Sequence, residues 1–268
     1  MTEKRVRADE LLVIRGLAAS RSQARALILA RNVRSGTQVV DKAGTPLVPD
    51  AELTVTQPPR FVSRGGEKLD HAISEFALDV TSLVCADFGA STGGFTDVLL
   101  QHGAAHVYAV DVGYGQLAYQ LRTDERVTVI DRTNARYLEA LPDHVDLVTI
   151  DVSFISLSLI LPAAKRVLKP EGCAIALVKP QFEAGKDRVG RGGVVRDPRV
   201  HRDVLQAVLR AAVEIGFSVS GLTASPITGP AGNVEFLTLL TLADGNSIDV
   251  GATINDLLND GRRLPDGA

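Results

Sequence analysis

Apolar and polar positions alternate with two different periods along this chain. Leu11, Leu12, Ile14 and Leu17 recur at helical spacing and predict a helix over 7–17, with Gly16 near its end. Ala24, Leu27 and Ile28 repeat that spacing, and Ser20 stands where a helix N-cap belongs. Val33, Val39 and Val40, then Leu47, Leu53 and Val55, read as short strands around a turn at 42–46. A small helix–helix–strand module over residues 1–58 follows. Gln57-Pro58-Pro59-Arg60 breaks the pattern, because two prolines continue neither a helix nor a central strand. A linker is placed at 59–62 and a second domain at 63–268.

In the second domain the two periods alternate. A turn at 63–66 leads into a helix over 67–76, striped by Leu69, Ile73 and Phe76. Lys68 falls in its first turn, where the helix dipole favours anions, a mismatch that is tolerable on a surface and a weak functional clue. Strands are predicted at 84–88, 106–111, 127–131, 145–151, 173–178, 217–222 and 235–240. Helices are predicted at 96–101, 158–168 and 197–215. This order implies an α/β domain with a mostly parallel, seven-stranded Rossmann-like sheet, preceded by the small α/β module. Ligands bind at the carboxyl ends of such strands. Asp87, Asp111, Asp131, Asp151 and Lys179 all fall at that edge.

Composition narrows the class. Hydrophobic residues make up 45% of the 268 positions, enough for a packed core, whereas aromatics are 4% and Trp is absent, which argues against an extensive base-stacking surface. Cys85 and Cys173 lie in apolar runs and read as buried free thiols. The polar first ten residues show no signal peptide, and no apolar run approaches the roughly 20 residues of a membrane helix. A cytoplasmic protein without a membrane partner is expected. Net charge is -3, yet residues 1–60 hold ten Lys+Arg against six Asp+Glu. A basic module on an acidic domain points to a polyanion partner.

The stretch 84–95, V-C-A-D-F-G-A-S-T-G-G-F, reads as strand, tight turn and helix start. Glycines there let backbone approach a ligand closely. The spacing is neither the dinucleotide fingerprint nor a phosphate loop, which argues against a nicotinamide oxidoreductase. D-x-G-x-x-x-G-G instead resembles the first motif of methyltransferases that use S-adenosylmethionine. That resemblance places Gly89, Ser91, Thr92, Gly93, Gly94 and Phe95 under the methionine part of the cofactor. Asp87 would organise either its ammonium or the turn itself, Asp111 would accept from the ribose hydroxyls, and Asp131 from the adenine amino group.

Two further resemblances complete the reading. Arg15-Gly16, then Ser20-Arg21 through Ala24, Leu27 and Ile28, then Val33, resemble the S4 RNA-binding domain, with Ala30-Arg31-Asn32 where that family has a glycine. This implies that Arg15, Arg21, Arg25, Arg31 and Arg34 face structured RNA through its phosphates. The strings VSRGGEKL (62–69), DVGYG (111–115), DVSFIS (151–156), VKPQFE (178–183), GGVVRD (192–197) and GNVEF (232–236) resemble the FtsJ-like ribose 2'-O-methyltransferases. Together with the S4-like module they resemble the TlyA, or hemolysin A, family. The resemblance implies transfer of a methyl group from S-adenosylmethionine to a cytidine 2'-hydroxyl of ribosomal RNA in the small subunit, the large subunit or both.

The family's catalytic Lys-Asp-Lys-Glu set falls on Lys68, Asp151, Lys179 and Glu235. Lys179 would either take the hydroxyl proton or orient the hydroxyl while charged and lose its proton late. The basic, glycine-rich loop 185–196, with Lys186, Arg188, Arg191 and Arg196, reads as a mobile substrate loop, and Arg64 is a further RNA contact. No metal is expected, because no His/Cys ligand cluster is visible. A monomer acting on ribosomal RNA, with no DNA partner, is expected. A tail helix around Ile254, Leu257 and Leu258 fits the longer, dual-substrate form of the family. The competing classes are a non-catalytic RNA-binding assembly factor and a hemolysin.

Overall fold

The structure is a computed structural model and describes residues 5–56, 60–242 and 247–259. The prolines of the predicted linker and the chain beyond residue 259 lie outside the described residues. The chain divides into two compact units between Arg60 and Phe61.

The first unit runs β1 (Val6–Arg7), α1 (Ala8–Ile14), α2 (Arg21–Leu29), β2 (Val33–Ser35), β3 (Gln38–Val39), β4 (Pro46–Leu47) and β5 (Leu53–Val55). β1 pairs with β4, and β2 lies between β3 and β5, all antiparallel. Ala8, Leu12, Ala24, Ile28 and Val33 close its core. The Ser20 hydroxyl accepts from the Gln23 N–H, so the predicted cap forms.

Helix α1 stops three residues short of the predicted end because Gly16 turns left-handed, with φ +70°. The Leu17 N–H then returns to the Leu12 carbonyl and the Gly16 N–H to that of Val13, which satisfies the last carbonyls. Helix α2 ends in the same way. The Asn32 N–H reaches the Leu27 carbonyl and the Arg31 N–H that of Ile28. Here Arg31, with φ +60°, occupies the position that glycine fills at the end of α1. A side chain in that conformation costs on the order of 1 kcal/mol.

The second unit runs α3 (Gly65–Glu75), β6 (Val84–Phe88), α4 (Gly94–Gln101), β7 (His106–Val110), α5 (Tyr119–Arg122) and β8 (Val127–Ile130). It continues with β9 (Val145–Ile150), α6 (Leu161–Val167), β10 (Leu168–Val178), α7 (Pro180–Glu183) and α8 (Pro198–Ile215). β11 (Ser218–Ala224), β12 (Phe236–Thr241) and α9 (Val250–Asn259) complete it. One seven-stranded sheet has the order β11-β12-β10-β9-β6-β7-β8. Neighbours from β10 to β8 are parallel, whereas β12 runs antiparallel to both β10 and β11.

Successive strand residues face opposite core layers, as the pleat requires. Val148, Ala176 and Phe236 join Leu205, Leu209 and Ile254 on one side, while Leu147, Ile175 and Leu237 join Leu69, Ile73 and Leu99 on the other. The crossover helix starts later than predicted, at Leu161, with Pro162 in its first turn and a 3₁₀ turn before it. Cys85 is buried and Cys173 half-buried; both thiols are free. The chain continues from β6 to one side through β7 and β8, then returns to the other side with β9. That reversal opens a crevice between the ends of β6 and β9, where a parallel sheet offers a binding site.

The end of α2 yields a prediction. Arg31→Gly relieves the left-handed strain, so the first unit gains on the order of 1 kcal/mol in denaturant unfolding. A destabilised variant would contradict the strain assignment.

Candidate functional site

Gly89 is the first residue past β6, at φ +86°. A Cβ there would stand inside contact distance of the Asp151 carbonyl oxygen. Only glycine lets the turn lie against the end of β9. Gly93 follows at φ +98° and caps α4, and a side chain there would collide with Leu117 and Leu121. Gly94 has Ser63 and the Gly66 backbone against its Cα. The glycines of the 63–66 turn and of the 89–94 turn therefore let α3 and α4 start side by side. The first-turn N–H groups of α4 have no intrahelical acceptors.

Asp87 is fully buried at the end of β6. It accepts from the Thr96 N–H (2.9 Å) and hydroxyl (2.7 Å), and from the Thr149 hydroxyl (3.1 Å). These contacts tie the end of β6 to the start of α4, which is the turn-organising role among the two expected for Asp87. Burial pushes its carboxyl up to about 7, against the opposing hydrogen bonds from Thr96 and Thr149. The Thr149 hydroxyl also reaches the Ala86 carbonyl at 3.4 Å, so it can accept from a protonated Asp87 while donating there.

Two cavities adjoin at this edge. One, of about 470 Å³, is walled by Asp111, Val112, Thr133, Asn134, Ala135 and Ile155 among others. The second, of about 620 Å³, holds Lys68, Phe95, Lys179, Gln181, Asn233 and Glu235 on its walls. Gly89, Ser91, Asp151, Ser153 and Phe154 line both. The Asp111 carboxylate accepts from the Ser91 N–H (2.8 Å) and the Gly113 N–H (2.6 Å) and is thereby fixed, with lone pairs to spare for a diol. Asp131 is placed differently from the expectation. It accepts from the Gly115 N–H (3.0 Å) and lies outside the cavity wall, where Thr133 and Asn134 stand instead.

The four expected catalytic residues form two ion pairs in the second cavity. Lys68 lies 2.5 Å from Glu235 and Lys179 lies 2.5 Å from Asp151. Lys68 is buried rather than on the surface, only 7% exposed, because the glycine turn carries α3 inward. Glu235 directly precedes β12, and Gly229 leaves room for its carboxylate. Lys179 directly follows β10, with its ammonium also 3.0 Å from the Ser153 hydroxyl. The Gln181 amide donates to Glu235 at 3.2 Å. Ser153 and Gln181 each stand two positions beyond an expected site residue, but spacing alone carried no sign of their role. Phe154, at φ +63°, is 89% exposed and tilts against Phe182 with ring centres 4.8 Å apart.

The basic residues divide. Arg64, Lys186, Arg191 and Arg196 are exposed in the second unit. Arg188 pairs with Asp203 at 2.7 Å and donates to the Ala184 carbonyl, which turns it onto α8. The loop 185–196 is anchored rather than loose. Buried Asn233 accepts from the Val195 N–H and donates to the Gly193 carbonyl, both at 2.9 Å. In the first unit Arg15 donates to the Ala51 carbonyl (2.7 Å) and to that of Pro49, a structural role. Arg21 and Arg25 pair with Asp9, and Arg31 and Arg34 are exposed. Arg132 over Tyr114 (4.3 Å) and Arg136 over Tyr137 (5.3 Å) form exposed pairs that the sequence reading missed.

Residues 61–242 match the FtsJ-like methyltransferase family, and residues 6–53 match the S4 domain. The 16S/23S rRNA (cytidine-2'-O)-methyltransferase TlyA of Mycobacterium tuberculosis is 52% identical over 246 residues, covering 90% of this chain and 92% of that protein. The chain belongs to the TlyA family. Hemolysin A of Brachyspira hyodysenteriae is 42% identical, over 87% of this chain and 98% of that protein. A solved structure named as a hemolysin, from Streptococcus thermophilus, is 44% identical and superposes with a TM-score of 0.73 over 96% of both chains. This TlyA family member is an S-adenosylmethionine-dependent methyltransferase with an S4-like and an FtsJ-like unit. Among its described residues no helix is long and apolar enough to cross a membrane.

The cavities suit S-adenosylmethionine: a fixed diol-binding carboxylate at one end, open N–H groups of α4 at the other, and a glycine cradle between. Two predictions follow from the buried charges. Lys68→Met leaves the Glu235 carboxylate buried and unpaired and costs about 3–5 kcal/mol in urea unfolding, whereas Lys68→Met with Glu235→Leu recovers most of it. The second concerns Asp87, whose carboxyl is raised in the folded state and so binds its proton more tightly there. Its contribution to stability is complete below the ordinary value of 3.8 and is lost as the pH rises to about 7. Asp87→Asn lacks this titration, so the wild-type-minus-variant difference in Tm falls across that window and is flat above it.

Proposed function

We propose that the protein transfers the methyl group of S-adenosylmethionine to the 2'-hydroxyl of a cytidine in ribosomal RNA, in the small subunit, the large subunit or both. The observation that carries this reading is the Lys179–Asp151 pair at the junction of the two cavities. Cofactor and acceptor meet only there. The substrate assignment rests on the relative from Mycobacterium tuberculosis, whose extent this chain matches almost end to end.

Bound along the first cavity and the 89–94 turn, S-adenosylmethionine would supply an electrophilic methyl group on its sulfonium. The chain's own residues do the rest. Ser153 and Lys179 orient the ribose hydroxyl for in-line attack. Once its ammonium has given up a proton to solvent, Lys179 takes the hydroxyl proton as the oxygen–carbon bond forms and the carbon–sulfur bond breaks, and Asp151 stabilises the ammonium that is restored. The Lys68–Glu235 pair, braced by Gln181, fixes the opposite wall. A ribose held inside folded RNA reaches this depth when its nucleotide swings out, and exposed Phe154 offers the base a stacking face.

Arg64, Lys186, Arg191 and Arg196 grip phosphates around the mouth, and Arg21, Arg25, Arg31 and Arg34 hold RNA from the first unit. The protein works as a cytoplasmic monomer. Labelled methyl transfer to separated 30S and 50S subunits, with mapping of the modified nucleotide, tests the reading. Ribose methylation of cytidine is expected, falling at least about 100-fold in Lys179→Ala. No transfer to subunits or free ribosomal RNA, with cofactor and RNA still bound, would instead mark an assembly factor.

A further inference from the structure

The first unit holds a charged cluster that takes no part in methyl transfer. Asp9, near the start of α1, is fully buried. Its carboxylate receives Arg7 Nε at 3.0 Å and Arg7 Nη2 at 3.3 Å, with Arg21 Nη2 and Arg25 Nε each at 3.2 Å. The other Arg21 terminal nitrogen reaches Glu10 at 3.2 Å. All three arginine side chains stay about half exposed, at 47%, 49% and 55%. The Arg7 hydrogen bond, joined by those of Arg25 and Arg21, holds the Asp9 carboxyl well below the usual carboxylate range. The turn through Gly44 closes over Arg7, since a Cβ there would stand 3.2 Å from its Nη1.

One arginine would suffice to neutralise Asp9. Three leave the cluster positive, because Asp9 and Glu10 offset only two of the three charges. Each guanidinium carries five N–H donors in a rigid fork, and Asp9 occupies only the inward-facing ones. The exposed edges are thereby held in one orientation, which suits phosphate oxygens spaced along an RNA backbone.

We propose that Asp9 is a positioning residue for RNA, whose buried carboxylate fixes the guanidinium groups of Arg7, Arg21 and Arg25 as a preformed phosphate-binding array. The proposal rests on the reading of the first unit as an RNA contact. It makes a prediction opposite in sign to that of simple electrostatics. Asp9→Asn and Glu10→Gln each remove one negative charge from the same basic surface. Net charge alone would tighten RNA binding in both.

The experiment measures the affinity of the full chain for separated 30S and 50S subunits across a salt series. Asp9→Asn is expected to weaken binding about tenfold, whereas Glu10→Gln binds as tightly as wild type or tighter. In methyl-transfer assays the Asp9→Asn loss falls on KM. Asp9→Asn binding at least as tightly as wild type would overturn the proposal. If Asp9→Asn unfolds the first unit, Arg25→Lys carries the test, because it keeps the charge and leaves Asp9 two arginine partners. A severalfold loss is expected there, and wild-type affinity would overturn the proposal. Arg21→Glu with Arg25→Glu separates the two levels. If it leaves affinity intact, the RNA reading of this unit fails. If it abolishes binding while Asp9→Asn does not weaken it, only the positioning role fails.

Discussion

The contact between the Gly89 backbone and the carbonyl of Asp151 sets the spacing on which the rest of the site depends. Strand order reverses between β6 and β9, so their ends part, and a turn must descend into the gap without filling it. The missing side chain at Gly89 allows that descent. It brings the wall of one cavity against the wall of the other, with Asp151 on both. A methyl side chain would push the turn outward or move Asp151 off Lys179. Either shift separates two groups that must meet within about 3–3.5 Å for displacement to occur.

Charge in the site is arranged so that each buried ion has a partner. Lys68 and Glu235 come from opposite ends of the domain and are almost completely enclosed. Such a pair adds little net stability, because desolvating two ions offsets their attraction. Its value lies in shape: the pair holds the start of α3 against the start of β12 and fixes Gln181 between them. The cost of those ions is carried by two apolar layers on either face of the sheet.

Most of this was legible in the chain. Alternating periods gave the seven strands and the long helices, and the strand-end acids located the edge where the cavities lie. The turns were harder. The left-handed residue that ends α1 early is a backbone property with no apolar signature, and the same motif at the end of α2 carries an arginine. Side-chain partners were harder still. The helix pattern would tolerate Lys68 on a surface, and its burial depends on two glycine turns packing together. Asp131 sits at a strand end as expected, yet its carboxylate accepts from a turn N–H and lies off the cavity wall. Arg15 and Arg188 stand at basic positions, and Arg15 donates to two backbone carbonyls while Arg188 pairs with Asp203. Long-range partners of that kind leave no periodic trace.

The order of the last strands bears on how the protein is made. β12 inserts between β10 and β11, although it is synthesised after both. Glu235 enters the cavity only with that insertion, and Asn233 anchors the 185–196 loop at the same step. A ribosome that has delivered everything up to β11 has therefore produced a chain with the cofactor-side turn, Asp151 and Lys179, but with Lys68 unpaired and the loop untied. Domains fold as units as they emerge, and here the sheet closes with β12, the last of its described strands. A chain that stops before β12 therefore lacks the Asn233 and Glu235 wall of the second cavity.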